Sequence, residues 1–401
     1  MKLSLPFFRT PLTPPAFLEN REHFLPFRVD VLLERMLLDE RLGDKEREAF
    51  RVLRRLLGDR FHYEYHATLE SLKNDFVPFD PDCETLADVE YSPGQLHEIR
   101  LRLYESLRRV LDIGNYRELT PEQFAECLEM QPIGGLSVHV DTNDFDEFHV
   151  YYRGVRHREE TVRVLFFWQR LIPLVCLNRV FVIARFKPEF GGQVLIKMFK
   201  DVPVENLKII APKVKLGMPI FARIKIGGSV IGSLVPPVSK LIFAFAMSWV
   251  YFFVILGGFL IAAFKGLMSF MNSRTKYMQV FSSSLYYRNL SNNNAALTTL
   301  LDAAEVQELK EALLGYYILY VNGEHAMTMQ ELDAAAETWV ERQFGHRFDF
   351  EVNDAVRKLV DKEIVRISGT SPERYQACDL AETLQRLDQA WDKFNTFPGV
   401  T

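Results

Sequence analysis

Residues 241–264, LIFAFAMSWVYFFVILGGFLIAAF, run 24 positions without a charge. No other stretch restricts the fold as strongly. A helix of about 20 apolar residues is long enough to cross the hydrocarbon of a bilayer, and a core helix rarely runs so far without a polar face. Upstream, IGGSVIGSLVPPVS at 226–239 is also uncharged, and between Ile226 and Phe270 the charged residues are Lys240 and Lys265. The spacing predicts a transmembrane helical hairpin, with helices at about 226–246 and 250–270 and a turn near Ser248-Trp249. Gly228 and Gly232, with Ser229 and Ser233, would let the two helices approach closely, and Pro236-Pro237 would kink the first. One crossing at 241–264 behind an interfacial or re-entrant piece is the alternative. Both flanks are basic (Lys208, Lys213, Lys215, Arg223 and Lys225 before; Lys265, Arg274, Lys276 and Arg288 after). An even number of crossings, with both flanks on the cytoplasmic or matrix side, fits that symmetry.

The remainder reads as water-exposed protein. At 401 residues the chain is too long for one ordinary core. Its mean hydropathy of −0.06 excludes a polytopic transporter, and a net charge of −5 excludes a uniformly basic nucleic-acid coat. Cys83, Cys127, Cys176 and Cys378 are scattered and form no C-x-x-C, so neither a disulfide framework nor a structural zinc site is expected. The first twenty residues, interrupted by Pro6 and Arg9, do not read as a secretory signal. They are acid-poor up to Glu19, which leaves a weak organelle-targeting reading open.

Four regions follow from the patterning, and the fold class expected is α+β. Residues 1–135 are a helical N-terminal region, with apolar residues at helical spacing over Val29–Leu42, Lys45–Leu57 and Gln95–Leu111. Thr120-Pro121-Glu122-Gln123 is a capping box that opens a helix to about Met130. Residues 136–216 form an antiparallel sheet subdomain. Leu136 to Val140 and Phe148 to Tyr152 alternate as a hairpin around TNDFD, a helix is expected over about Glu159 to Val175, and Val180–Phe186 pairs with Val194–Phe199 through Gly191-Gly192. Residues 217–272 are the membrane region. Residues 273–401 are a winged-helix-like C-terminal domain: a helix from Asn272 to Leu290, a long helix over Ala295–Val321, a turn at Asn322-Gly323, a capping box at Thr328 to Glu331, a helix to Phe344, a strand at Phe348–Phe350, a helix at Val352–Val360, a strand at Ile364–Ile367 and a final helix at Leu380–Phe394.

Charge then sorts the partners. Residues 179–225 carry ten Lys and Arg against three acids, a net of +7 suited to anionic lipid headgroups. Residues 273–401 carry 13 basic against 19 acidic residues, and the presumed recognition helix, EVNDAVRKLVDK, is neutral. Phosphate neutralisation drives duplex binding, so nucleic acid is an improbable partner and the module reads as a protein-interaction unit.

Two constellations could bear chemistry. If Asp141 pairs with Glu147 across the 139–149 hairpin, then His139 pairs with His149, and two imidazoles with two carboxylates could hold a divalent metal. A polar solvent face explains the same residues without a metal. His62-x-Glu64-x-His66 shares a face on a helix or a strand, but H-E-x-x-H is absent and a surface or packing role is preferred. No phosphate-binding glycine loop and no nucleophile elbow occurs.

Several short motifs occur in a recognisable order: Phe76-Val77-Pro78-Phe79-Asp80-Pro81-Asp82, Tyr151-Tyr152-Arg153-Gly154, Phe199-Lys200-Asp201-Val202-Pro203, the paired apolar segments, Asn289-Leu290-Ser291-Asn292-Asn293 and Lys310-Glu311-Ala312-Leu313-Leu314. Over roughly 60–395 the chain resembles the transmembrane protein 143-like family, membrane proteins grouped by a domain of unknown function. The resemblance implies membrane anchoring, by two spans, and supplies no activity and no catalytic residues. Lacking a transit peptide, the chain is expected in a bacterial inner membrane with both water-exposed lobes cytoplasmic, or in the mitochondrial inner membrane if eukaryotic. The function expected is a non-enzymatic, membrane-anchored adaptor or regulator that binds an unidentified protein partner, with self-association into a homo-oligomer also open. The alternatives are a membrane-bound metal-dependent enzyme using the 139–149 hairpin and a tethered DNA-binding regulator.

Overall fold

In a computed structural model, the chain is described at residues 17–18, 23–83, 90–129, 137–140, 144–165, 168–210, 214–217, 286–369 and 372–394, together with 253, 257, 258, 260, 261, 264, 265, 268, 271, 272 and 279. It mixes helix and sheet. The helices are α1 (Val29–Leu37), α2 (Asp44–Phe76), α3 (Pro93–Ile113), α4 (Pro121–Glu129), α5 (Asn293–Val321), α6 (Met329–Phe344), α7 (Val352–Asp361) and α8 (Leu380–Phe394). The strands are β1 (Arg117–Glu118), β2 (Ser137–Val140), β3 (Phe145–Leu165), β4 (Trp168–Phe186), β5 (Val194–Pro203), β6 (Val214–Gly217), β7 (Asn289–Asn292), β8 (Val365–Ser368) and β9 (Arg374–Ala377).

Two long helices form the frame. α2 has 33 residues and α5 has 29, so they run about 50 and about 44 Å. They lie antiparallel. Phe50, near the start of α2, meets Tyr316, Tyr317 and Tyr320, near the end of α5, while His62 of α2 reaches Glu305 in the first half of α5. One core gathers α1, the first half of α2, the second half of α5, α6, α7, β8, β9 and α8. Helices from the two ends of the chain therefore share one interior. Gly315 of α5 faces Leu359 and Ala355 of α7, and a Cβ added there would sit 3.4 Å from Leu359 Cδ1, so α7 packs directly on α5.

The second core lies between the other halves of α2 and α5, α3 and one face of a five-stranded antiparallel sheet ordered β1-β3-β4-β5-β7. Tyr151, Phe181, Ile183, Ile196 and Met198 point into it, and their alternates Val150, Tyr152, Val180, Val182 and Phe199 fill a third core with Leu119, Cys127, Val204 and Leu207. Strict alternation sends neighbours to opposite faces, so this sheet is buried on both.

The segment expected as a helix over Glu159–Val175 is instead the outer part of a β3–β4 ribbon, paired from Phe145↔Phe186 out to Leu165↔Trp168. Val155, Thr161, Val162 and Val175 are β-branched and favour strand. The spacing of apolar residues also fits a helix, and pairing with the opposite strand decides the outcome. The turn from β4 to β5 uses Gly191 and Gly192 at φ of 97° and 64°, values that side chains rarely tolerate. Residues 289–292 form a strand on the edge of β5 rather than the end of a helix. In the C-terminal lobe, Phe348–Phe350 forms no strand, and Met327 bridges to Tyr375 beside the β8–β9 pair.

The largest correction concerns the membrane. No helix among the described residues is long and apolar enough to cross one. The expected central transmembrane hairpin is not supported, and the membrane, transmembrane-helix and inner-membrane expectations fall with it. The expected first span, 226–246, lies outside the described residues. Most of the expected second span, 250–270, lies outside the described residues as well.

Both capping boxes close as expected. Thr120 N donates to Gln123 Oε1 at 3.0 Å, and Gln123 N to Thr120 Oγ1 at 3.3 Å. Thr328 Oγ1 accepts from Glu331 N at 3.2 Å, and Glu331 Oε2 accepts from Thr328 N at 2.8 Å. Thr328→Ala should lower stability by about 1 kcal/mol, read as a shift in the urea midpoint at unchanged m-value.

Candidate functional site

The residues singled out in the sequence are dispersed into other pairings. β2 pairs with β6, which sets His139 opposite Lys215, whereas β3 pairs with β4, which sets His149 opposite Ile183. The cross-strand pairing of His139 with His149 is not formed. Asp141 lies outside the described residues. Glu147 accepts from Arg100 and from Arg185, the latter at 3.3 Å, and His149 Nδ1 lies 2.7 Å from Glu118 Oε1. On α2, His62 stacks near His66 and contacts Glu305 at 3.2 Å, while Glu64 holds Arg60 at 2.8 Å and Lys362 at 3.1 Å.

Among the described residues, the strongest concentration of buried polar chemistry lies elsewhere, in the middle of α5. Gln307, Glu308, Lys310 and Glu311 are all buried. The extended segment His23–Leu25 runs over them. Leu25 N donates to Gln307 Oε1 at 3.2 Å, Gln307 Nε2 donates to His23 O at 3.3 Å and to Glu311 Oε1 at 2.5 Å, and Lys310 Nζ donates to Leu25 O. Asn115 Nδ2 reaches both His23 O and Glu311 Oε1, at 3.2 and 3.4 Å. The Phe24 ring takes two cations, with Lys310 Nζ at 4.1 Å and the Arg153 guanidinium at 4.0 Å from its centroid. On the α7 side, Lys358 pairs with both Glu308 and Asp354, and His23 Nδ1 lies 2.9 Å from Glu351 Oε1.

Burial dominates the electrostatics. It pushes Lys310 down to about 7, with Arg153 adding to the fall, and pushes Lys358 down to about 7. It pushes Glu311 up to about 8 against the hydrogen bonds from Gln307 and Asn115, and it raises Asp354. Glu351 goes the other way, held below the usual carboxylate range by its hydrogen bond with His23. Among the described residues, the group of three or more His, Cys, Asp or Glu side chains close enough to hold a metal is Glu308, Glu311 and Asp354, with ligand atoms within 4.8 Å of one another. Lys310 and Glu311 stand in one of the motifs noted in the sequence, and Arg153 in another. The meeting of Lys310 and Arg153 on Phe24 required the fold. A second such meeting joins Asp80 and Asp82 to the start of α5: Asn294 Nδ2 donates to Asp80 Oδ2 at 2.6 Å and Asn293 Nδ2 to Asp82 Oδ2 at 2.5 Å.

An open cleft of about 480 Å³ lies where the start of α2, the end of α5, β9 and the start of α8 converge. Glu46, Glu324, Asp379 and Glu382 line it against Arg41 and Arg366. Each arginine is already paired, Arg41 with Asp39 at 2.6 Å and Arg366 with Glu382 at 2.5 Å. The Tyr320 hydroxyl holds Glu46 below its ordinary range, and Arg366 does the same for Glu382. These carboxylates stay ionised, which suits charge recognition rather than proton transfer. Cys378 in the same wall is buried. Elsewhere the Cys127 thiol is pushed up to about 12 by burial and that of Cys176 is raised for the same reason, so both are inert.

α7, expected as a recognition helix, is poorly placed to read a duplex. Its Lys358 is turned onto Glu308 and Asp354, Arg357 onto Asp354, and Lys362 is 7% exposed on Glu64 of α2.

The profile of a family described as "Protein of unknown function (DUF3754)" matches residues 145–295, from β3 to the first turn of α5. No solved structure matches the chain. The description of that family names no activity.

Proposed function

We propose that this chain is a non-enzymatic adaptor or regulator that binds a protein partner, with the cleft between α2, α5, β9 and α8 as the docking site for a basic segment of that partner. The observation that carries this reading is the charge of the cleft: four carboxylates line an open volume of about 480 Å³, Arg41 is committed to Asp39 outside the lining, and Arg366 offsets only Glu382, which leaves the lining net acidic. A cationic peptide fits such a surface by charge complementarity. Glu46 and Glu382, kept ionised by Tyr320 and Arg366, favour charge recognition over proton transfer. The metal-dependent enzyme built on His139 and His149 loses its supporting register, and duplex recognition loses the lysines of α7.

A fluorescent peptide of alternating Lys and Ala should bind the full chain at low salt and weaken steeply as ionic strength rises. Glu324→Lys, an exposed change, and Glu382→Gln should each weaken it by about ten-fold, with circular dichroism unchanged. Equal affinity for wild type and both variants would exclude the cleft.

A further inference from the structure

We propose that Glu308, Glu311 and Asp354 form a binding site for a divalent cation of hard-oxygen preference, Ca²⁺ or Mn²⁺, which enters by displacing the Lys358 ammonium. Glu308 and Glu311 are three residues apart on one face of α5. Asp354 comes from the first turn of α7, which is pressed onto α5 at Gly315. The three carboxylates have oxygens within 4.8 Å of one another. That is about twice the Ca–O distance of about 2.4 Å, so oxygens on opposite sides of one cation would fit without moving a helix.

A second observation marks the site as incomplete. Glu308 is fully buried, and its Oε1 has no hydrogen-bond donor. Its Oε2 faces the Lys358 ammonium, which is shared with Asp354. One monovalent charge thus serves two carboxylates beside a third. Buried carboxylates are stable only when paired or coordinated, and a divalent ion answers three of them better than one ammonium does. The donor set is oxygen alone. The nearby imidazole of His23 is turned to Glu351, so a soft metal has no ligand here.

The lysine also provides a route in. Glu308 forms the closed floor, while the Lys358 and Asp354 side chains are 15% and 24% exposed. Swinging the flexible Lys358 stem outward opens the rim and returns its ammonium to water. Glu311, the third carboxylate, lies one turn from Glu308 on the same helix and needs no rearrangement of α5 to join it. The other charges facing the cluster are Glu351 just before α7, Arg357 of α7, Lys310 of α5, and Lys362 with Glu64. None of these needs to move. The site is separate from the peptide cleft and does not depend on it.

Calorimetric titration of the full chain with CaCl₂ and with MnCl₂ tests the site. One ion per chain is expected to bind. Glu308→Gln and Asp354→Asn should each weaken binding by about 10–100-fold. Lys358→Met, which removes the competing cation, should strengthen it by about ten-fold, and Glu351→Gln should leave it unchanged. The proposal is overturned if folded wild-type protein binds neither ion at millimolar concentration, or if Glu351→Gln is as damaging as Glu308→Gln. Wild type and Glu351→Gln decide the matter even if Lys358→Met fails to fold.

Discussion

Phe50→Ala should lower the free energy of unfolding by about 3–5 kcal/mol and loosen both ends of the chain together. Phe50 is fully buried, with ring centroids of Tyr316, Tyr317 and Tyr320 at 6.1, 6.0 and 5.3 Å, all edge-on. Deleting the ring removes its apolar transfer free energy and leaves a cavity that two long, tightly packed helices cannot close by collapse. Because α1 and α2 share their core with α6, α7, β8, β9 and α8, the damage should not stay local. Hydrogen exchange is the discriminating measurement. Amides in 365–377 should lose protection together with those in 44–61, at one common opening free energy. If 365–377 keeps wild-type protection while α2 exchanges faster, the two ends are separate folding units and the shared core carries little energy.

The second large effect is on the pH dependence of stability. Burial raises Glu311 to about 8 in the folded chain, against about 4.3 for an unfolded glutamate. Between those values the folded state holds a proton that the unfolded state has lost. Stability from this group is complete below the unfolded value and declines as pH rises through about 8. Lys310 acts in the opposite sense. It is lowered to about 7 by burial, so it destabilises the fold fully below pH 7 and is relieved as pH climbs toward about 10.4. Urea unfolding in EDTA should show stability falling from about pH 5 to 7 and turning upward above about pH 8. Glu311→Gln keeps the amide geometry toward Gln307 and Asn115 but cannot titrate. It should flatten the falling limb by an amount on the order of a few kcal/mol and leave the rising limb in place. Lys310→Met should flatten part of the rising limb. An identical falling limb in wild type and Glu311→Gln would show that Glu311 is not the group responsible.

How much could be read in advance depended on the range of the interaction. Periodicity and caps located α3, α5, α6 and α8 because helical neighbours three and four residues apart are written side by side in the chain. The same signal misread Glu159–Val175, where the apolar residues satisfy both periods and only pairing with the opposite strand chooses. It also led to the wrong pairing for His139, since a hairpin loop as short as TNDFD favours the local partner, whereas β2 took β6 some seventy positions further on. The candidate cluster was the least accessible. Lys310 and Glu311 look like solvent-facing helix residues until His23–Leu25 covers them from 285 positions away.

What the sequence by itself determined is local: where helices such as α3, α5, α6 and α8 run, where Thr120 and Thr328 start two of them, and how Gly191 and Gly192 turn the chain. Only the tertiary structure decided which strands pair, which charges are buried and which carboxylates meet. Those outcomes depend on closing loops of tens to hundreds of residues and on the dielectric that results. The chemistry of Glu308, Glu311 and Asp354 belongs wholly to that second class, because a carboxylate acquires an unusual affinity for protons or cations only once a neighbouring segment has excluded water from it.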